Sequence, residues 1–160
     1  MARKLMVALD GSEGAWRAVE YVARTFGQTP EVQVTLLHIL PGLPPAFWDD
    51  GHILGEAERQ ARQRLIDSWQ AGQEKNWQGL VAQAQEHLKA AGIPAASVTS
   101  RFKPKYFDVA EDIVKEAVET GCDTIVMGRR GLGKAGSLLL GSVTTKVVHN
   151  PRGCAVTIVE

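Results

Sequence analysis

Residues 127–141, MGRRGLGKAGSLLLG, carry five glycines (Gly128, Gly131, Gly133, Gly136 and Gly141) and three cations, Arg129, Arg130 and Lys134. Glycine costs backbone entropy on folding, so a cluster answers either a turn or a ligand pressed against the main chain. Bare N–H groups at glycines approach phosphate oxygens. A helical stretch beginning near Gly141 adds the free N–H groups and partial positive charge of its N-terminus. The Ser142 hydroxyl and the three cations favour the same class of ligand, a phosphate. The competing reading is a glycine-rich turn in which Ser142 merely caps a helix and the arginines face water, since glycine motifs have many false matches. The segment also comes close to the loop G-x-x-x-x-G-K-[ST]. Ala135 stands where that loop needs a hydroxyl for magnesium, and Ala135-Gly136-Ser137 opens a helix poorly, which argues against a P-loop NTPase.

The elements that must position this loop can be read from periodicity. Residues 4–9 are a short apolar run suited to a buried strand. Asp10-Gly11-Ser12 breaks it, and Ser12 can cap a helix in which Ala15, Val19, Val22 and Phe26 recur at helical spacing until Gly27. A second strand covers 32–40 and ends at Pro41, Pro44 and Pro45. The span 41–54 reads as a loop containing Phe47 and Trp48. Residues 56–91 read as a long helix with Ala57, Ala61, Leu65 and Trp69 on one stripe, continued by Leu80, Ala84 and Leu88. Gly72 and Gly79 are candidate kinks or breaks. A third strand is expected over 98–102, closed by Pro104. A short helix carries Val109, Ile113, Ala117 and Val118, and a fourth strand covers 123–127. A last helix runs from about Gly141 to His149, and a last strand covers 155–159.

Short apolar strands alternating with helices imply an α/β fold, a parallel sheet with helices on both faces. In such a sheet ligands bind beyond the carboxyl ends of the strands. Asp10 ends the first strand and Gly128 the fourth, so the two share one crevice if those strands are neighbours.

The chain has 160 residues, 44% apolar and 22% charged, an ordinary globular composition for one domain, 1–160, with 41–55 as an insertion. Eighteen Lys and Arg balance eighteen Asp and Glu, so no global field draws nucleic acid or an anionic membrane. No apolar run approaches the roughly 18 residues of a membrane span. The N-terminus lacks the pattern of a signal peptide, so a cytoplasmic protein is expected. Cys122 and Cys154 suit small buried apolar side chains in a reducing compartment. His38, His52, His87 and His149 show no metal-ligand spacing.

The chain resembles the universal stress protein family over nearly its whole length. The resemblance rests on Asp10-Gly11-Ser12 after the first strand, LLHIL in the second, and the signature G-x2-G-x9-G-[ST], here Gly128, Gly131, Gly141 and Ser142, followed by Val143. It implies a five-stranded parallel sheet in the order 3-2-1-4-5, a homodimer paired through the strand at 155–159, and membership of the ATP-binding branch. Carried over by position, Asp10 would lie near the ribose or a metal-water shell. Ile39 would meet the adenine with its backbone. Met127 and Gly128 would flank the ribose and phosphates. Gly131, Gly141, Ser142 and Val143 would hold phosphate oxygens, mostly through N–H groups. Arg129 joins this set, although it and Lys134 fill positions that vary in the family. The ligand implied is ATP, or AMP or ADP, with magnesium held largely by phosphates and water. Lys103-Pro104-Lys105-Tyr106 departs from the family's Gly-x-Pro wording, and 41–55 could lid the site, widen a dimer surface or simply pack. Asp10 is the one obvious carboxylate at the site, so a regulatory nucleotide-binding protein is favoured. A slow ATPase assisted by Arg129 or Lys134, and a dimeric scaffold with AMP or no nucleotide, are the alternatives.

Overall fold

A computed structural model of the chain describes residues 2–132 and 139–160. Five strands, β1 (Arg3–Ala8), β2 (Val32–Leu40), β3 (Val98–Pro104), β4 (Thr124–Gly128) and β5 (Ala155–Val159), form one sheet in the order β3-β2-β1-β4-β5. Every pairing is parallel, with Met6 opposite Thr35 and Ile125, and Ile125 opposite Val156. The four α-helices among the described residues are α1 (Glu13–Phe26), α2 (Glu56–Ala90), α3 (Val109–Glu119) and α4 (Ser142–His149).

The period of two along each strand sorts the apolar residues onto two faces. Leu5, Val7, Leu9, Val34, Leu36 and Val126 pack against Val19 and Val22 of α1 and Trp77, Val81, Ala84 and Leu88 of α2. Met6, Leu37, Ile39, Ile125 and Met127 point the other way, toward Ala110, Ile113 and Ala117 of α3 and Val147 of α4. Cys122 and Cys154 are free thiols, buried in this second layer. The central strands are therefore buried on both sides, as an all-parallel sheet requires.

Helix α1 starts as expected. Ser12 is its N-cap, and its Oγ accepts from the Ala15 N–H at 3.2 Å. Ala15, Ala18, Val19, Val22 and Ala23 form the buried stripe.

Helix α2 departs from the expected pattern. It runs 35 residues without a break through Gly72 and Gly79, about 52 Å at 1.5 Å per residue. Its buried residues, Trp77, Val81, Ala84 and Leu88, all lie in its C-terminal half. Of the expected stripe, Ala57, Ala61 and Leu65 are exposed and Trp69 is half-buried, alongside Arg62, Ile66 and Gln73. The cause is the insertion. A 3-10 turn at Pro45–Phe47 lies along the first half of α2, with the Phe47 ring 6.3 Å from Trp69 and the Phe47 carbonyl accepting from Arg62.

Strand β3 continues past Phe102 to Pro104, whose missing N–H is tolerated on an edge strand. Arg101 and Lys103 both turn to the buried Glu116 of α3, so Lys103 is engaged away from the sheet's carboxyl end.

Candidate functional site

Beyond the carboxyl ends of β1, β2 and β4 the structure opens a cleft of about 420 Å³. Asp10, Ile39, Met127, Gly128, Gly131, Gly141, Ser142 and Val143 all line it, eight of the nine residues expected there. The ninth, Arg129, does not.

The β1 wall is fixed by backbone bonds. Leu9 donates to the Leu37 carbonyl at 2.8 Å, the last rung between β1 and β2. The Asp10 carboxylate accepts from Ser12 N–H at 2.9 Å, which bends the chain into α1. The same carboxylate lies against Gly131, where a Cβ would stand 2.6 Å from Asp10 Oδ2. Asp10 thus touches the glycine loop, in the space that a side chain at Gly131 would enter.

Ile39 owes its position to the unequal lengths of the strands. Backbone groups alternate sides along a strand, and the Leu37 carbonyl faces β1. Two residues on, the peptide groups of Ile39 face the same side, but β1 has ended at Ala8. They open onto the cleft while the strand itself stays braced by β3 as far as Leu40 and Pro104.

His38 lines the cleft beside Ile39, in a role that sequence reasoning left as a strand residue. Its Nδ1 is 3.0 Å from the Leu9 carbonyl. A carbonyl only accepts, so Nδ1 carries the proton. The ring packs against Phe102 at 5.6 Å and Trp77 at 5.7 Å, and those two rings lie 6.1 Å from each other. Burial pushes its pKa below the ordinary 6.5, partly opposed by the Leu9 bond and the charge of Asp10.

At the far side, Gly141 is the N-cap of α4 in extended backbone. Its own N–H is committed, donating to the Arg129 carbonyl at 2.9 Å, so it is not one of the free donors expected of it. The first bond along α4 is donated by Thr145, which leaves the N–H groups of Ser142, Val143 and Thr144 without acceptors inside the helix. Thr144 Oγ1 donates to the Gly128 carbonyl at 3.1 Å and ties α4 to the end of β4.

The two adjacent arginines diverge. Arg129 Nη1 meets Glu160 at 3.3 Å, and its N–H donates to the Val159 carbonyl, so this residue serves the β5 edge. Arg130 lines the cleft, with Nε donating to the Leu139 carbonyl at 3.3 Å. Lys134, the third expected cation, lies outside the described residues.

Gly128 also has a second duty. A Cβ there would stand 2.4 Å from the carbonyl carbon of Gly14, and a Cβ on Gly14 would stand 2.4 Å from the carbonyl oxygen of Arg130. The first turn of α1 therefore rests directly on the backbone at the end of β4. Gly14 escaped sequence reading, though a glycine inside the first turn of a capped helix was a visible signal. Nothing in the residue types separated Arg130 from Arg129. Of the 41–55 insertion, Pro41 alone lines the cleft.

The family model described as "Universal stress protein family" matches residues 1–160. The chain belongs to the universal stress protein family. A universal stress protein of Thermus aquaticus is 30% identical over 163 residues, covering the whole of both chains. Among solved structures, the hypothetical protein MJ0577 superposes with a TM-score of 0.73 at 23% identity, over 99% of this chain and 96% of that one. A universal stress protein family protein from Arabidopsis thaliana, solved with AMP bound, gives a TM-score of 0.63 at 16% identity, over 98% and 90%. The sheet order of this universal stress protein is the one the resemblance implied.

Proposed function

We propose that this universal stress protein binds an adenine nucleotide, ATP in the first place and AMP or ADP by the same contacts, and acts as a regulatory binding protein. The observation that carries the reading is the pairing of two backbone features across one cleft. Ile39 presents unpaired peptide groups at the end where a planar base can bond them, and α4 presents three N–H groups at the end where phosphates need them. Asp10, Met127 and Gly128 stand between, and Gly131, Ser142 and Val143 form the phosphate side. Family membership and the AMP-bound Arabidopsis relative support the same choice.

Asp10 is the lone carboxylate lining the cleft among the described residues, and no cluster of three or more His, Cys, Asp or Glu stands among them. A magnesium ion fits here only as a companion of the nucleotide, with Asp10 within reach of its water shell; it would neutralise phosphate charge. One carboxylate, and a His38 whose Nδ1 is committed to the Leu9 carbonyl, favour holding the nucleotide over hydrolysing it.

The oligomer we propose is a homodimer through β5. That strand ends the sheet, and an unpaired edge with the pattern AVTIV is otherwise an association hazard. No helix among the described residues is long and apolar enough to cross a membrane, and a cytoplasmic location accords with the family.

Calorimetry with ATP, AMP and GTP tests the function, and mass spectrometry of denatured purified protein tests whether a nucleotide travels with it. Binding of adenine nucleotides in preference to GTP is expected. No nucleotide binding, or indifference to the base, overturns the reading.

A further inference from the structure

We propose that Arg130, and not Arg129, is the cation that reads the phosphate end of the ligand. This rests on the adenine-nucleotide reading of the cleft.

Two adjacent arginines of identical chemistry leave β4, and the fold separates them. Arg129 is tied through its backbone to Val159 and Gly141 and through its side chain to Glu160. Its charge is spent at the sheet edge. Arg130 is half-buried and lines the cleft. Its main chain is clamped on two sides. Its carbonyl oxygen fills the space where Gly14 would carry a Cβ, and its Cα lies 3.4 Å from where Gly141 would carry one. Its Nε donates to the Leu139 carbonyl at 3.3 Å, which anchors the guanidinium beside the cleft, and its planar fork matches phosphate oxygens.

The test is calorimetry on the full chain with adenosine, AMP and ATP, using wild type, Arg130→Gln, Arg130→Lys and Arg129→Gln. Arg130→Gln should weaken AMP and ATP about ten- to a hundredfold, the range of a charge-assisted hydrogen bond, and leave adenosine unchanged. Arg130→Lys should recover part of the loss. Arg129→Gln should change none of the three by more than about twofold, well inside that range. Wild type that binds AMP, with Arg130→Gln equally good, removes the Arg130 assignment alone. Equal losses for adenosine and AMP make Arg130 a packing residue and also overturn it. Wild type that binds none of the three removes the nucleotide reading itself, and this proposal with it.

Discussion

Two pairs of glycines surround the same cleft and are glycine for different reasons. Gly14 and Gly128 touch backbone to backbone, where a Cβ on Gly128 would lie 2.4 Å from a carbonyl carbon. Gly131 and Gly141 stand at the lip, where the nearest obstacles are a carboxylate tip and, at 3.4 Å, the Cα of Arg130. The first pair is a clamp holding α1 onto β4. The second keeps the mouth of α4 open. One residue type thus marks a packing constraint and a binding surface within a few residues of each other.

The largest effect should come from breaking the clamp. Gly128→Ala forces a methyl group into a carbonyl that belongs to a packed helix, and no rotamer relieves it. We expect a loss of about 3 kcal/mol or more. Gly14→Ala is the sharper version. Helix propensity alone predicts a gain of about 1 kcal/mol for this change. The contact with the Arg130 carbonyl predicts a loss. Chemical denaturation decides by sign, and a stabilised Gly14→Ala protein would remove the clamp.

The lip should respond in affinity instead. Gly141 has φ −62° and ψ 159°, open to any residue, so Gly141→Val meets no backbone strain. Its methyls would crowd the first turn of α4, beside the donors of Ser142 and Val143. We expect at least about tenfold weaker ATP binding, ~1.4 kcal/mol, with stability kept to within about 1 kcal/mol. Unchanged affinity by calorimetry removes the phosphate side of the site.

These pairs also show what was legible in the sequence. The spacing Gly128, Gly131, Gly141, Ser142 located the cleft, because a signature after a strand and before a helix has one place to fold in a parallel sheet. The strands were legible for a similar reason: Leu5 and Val7 against Met6 alternate faces, and both faces are buried. The division of labour was not legible. Gly128 and Gly131 look alike until α1 is laid on the sheet. Arg129 and Arg130 look alike until β5 and Glu160 claim one of them. The first half of α2 misled for the opposite reason. Ala57, Ala61, Leu65 and Trp69 keep helical spacing, yet the insertion packs Phe47 against Trp69 and leaves the other three exposed.

A third kind of glycine sharpens the contrast at lower energy. Gly72 and Gly79 lie within α2 with nothing inside 4 Å of an added Cβ. They neither clamp nor clear space, so only propensity applies. Gly72→Ala and Gly79→Ala should each stabilise by roughly 0.5–1 kcal/mol. Additive gains in melting experiments are expected, and a loss at either position would mean that a partner approaches the helix there.

The smallest effect concerns the wall opposite the lip. His38 holds the Leu9 carbonyl, one residue before Asp10, and burial lowers its pKa below 6.5. The unfolded chain, with an ordinary histidine, then binds more protons than the folded one just below that value. Stability from the neutral ring is present above about pH 6.5 and is lost as the pH falls toward the folded pKa. Other groups titrate in the same window, so the informative quantity is a difference between proteins. His38→Gln keeps a donor for Leu9 and removes the titration. Between about pH 8 and pH 5 the wild type should lose more stability than His38→Gln. Parallel profiles would mean that the ring is no better shielded in the fold than in the open chain. The stack with Trp77 and Phe102 would then not be the dry wall that keeps Leu9 and Asp10 in register with Gly131.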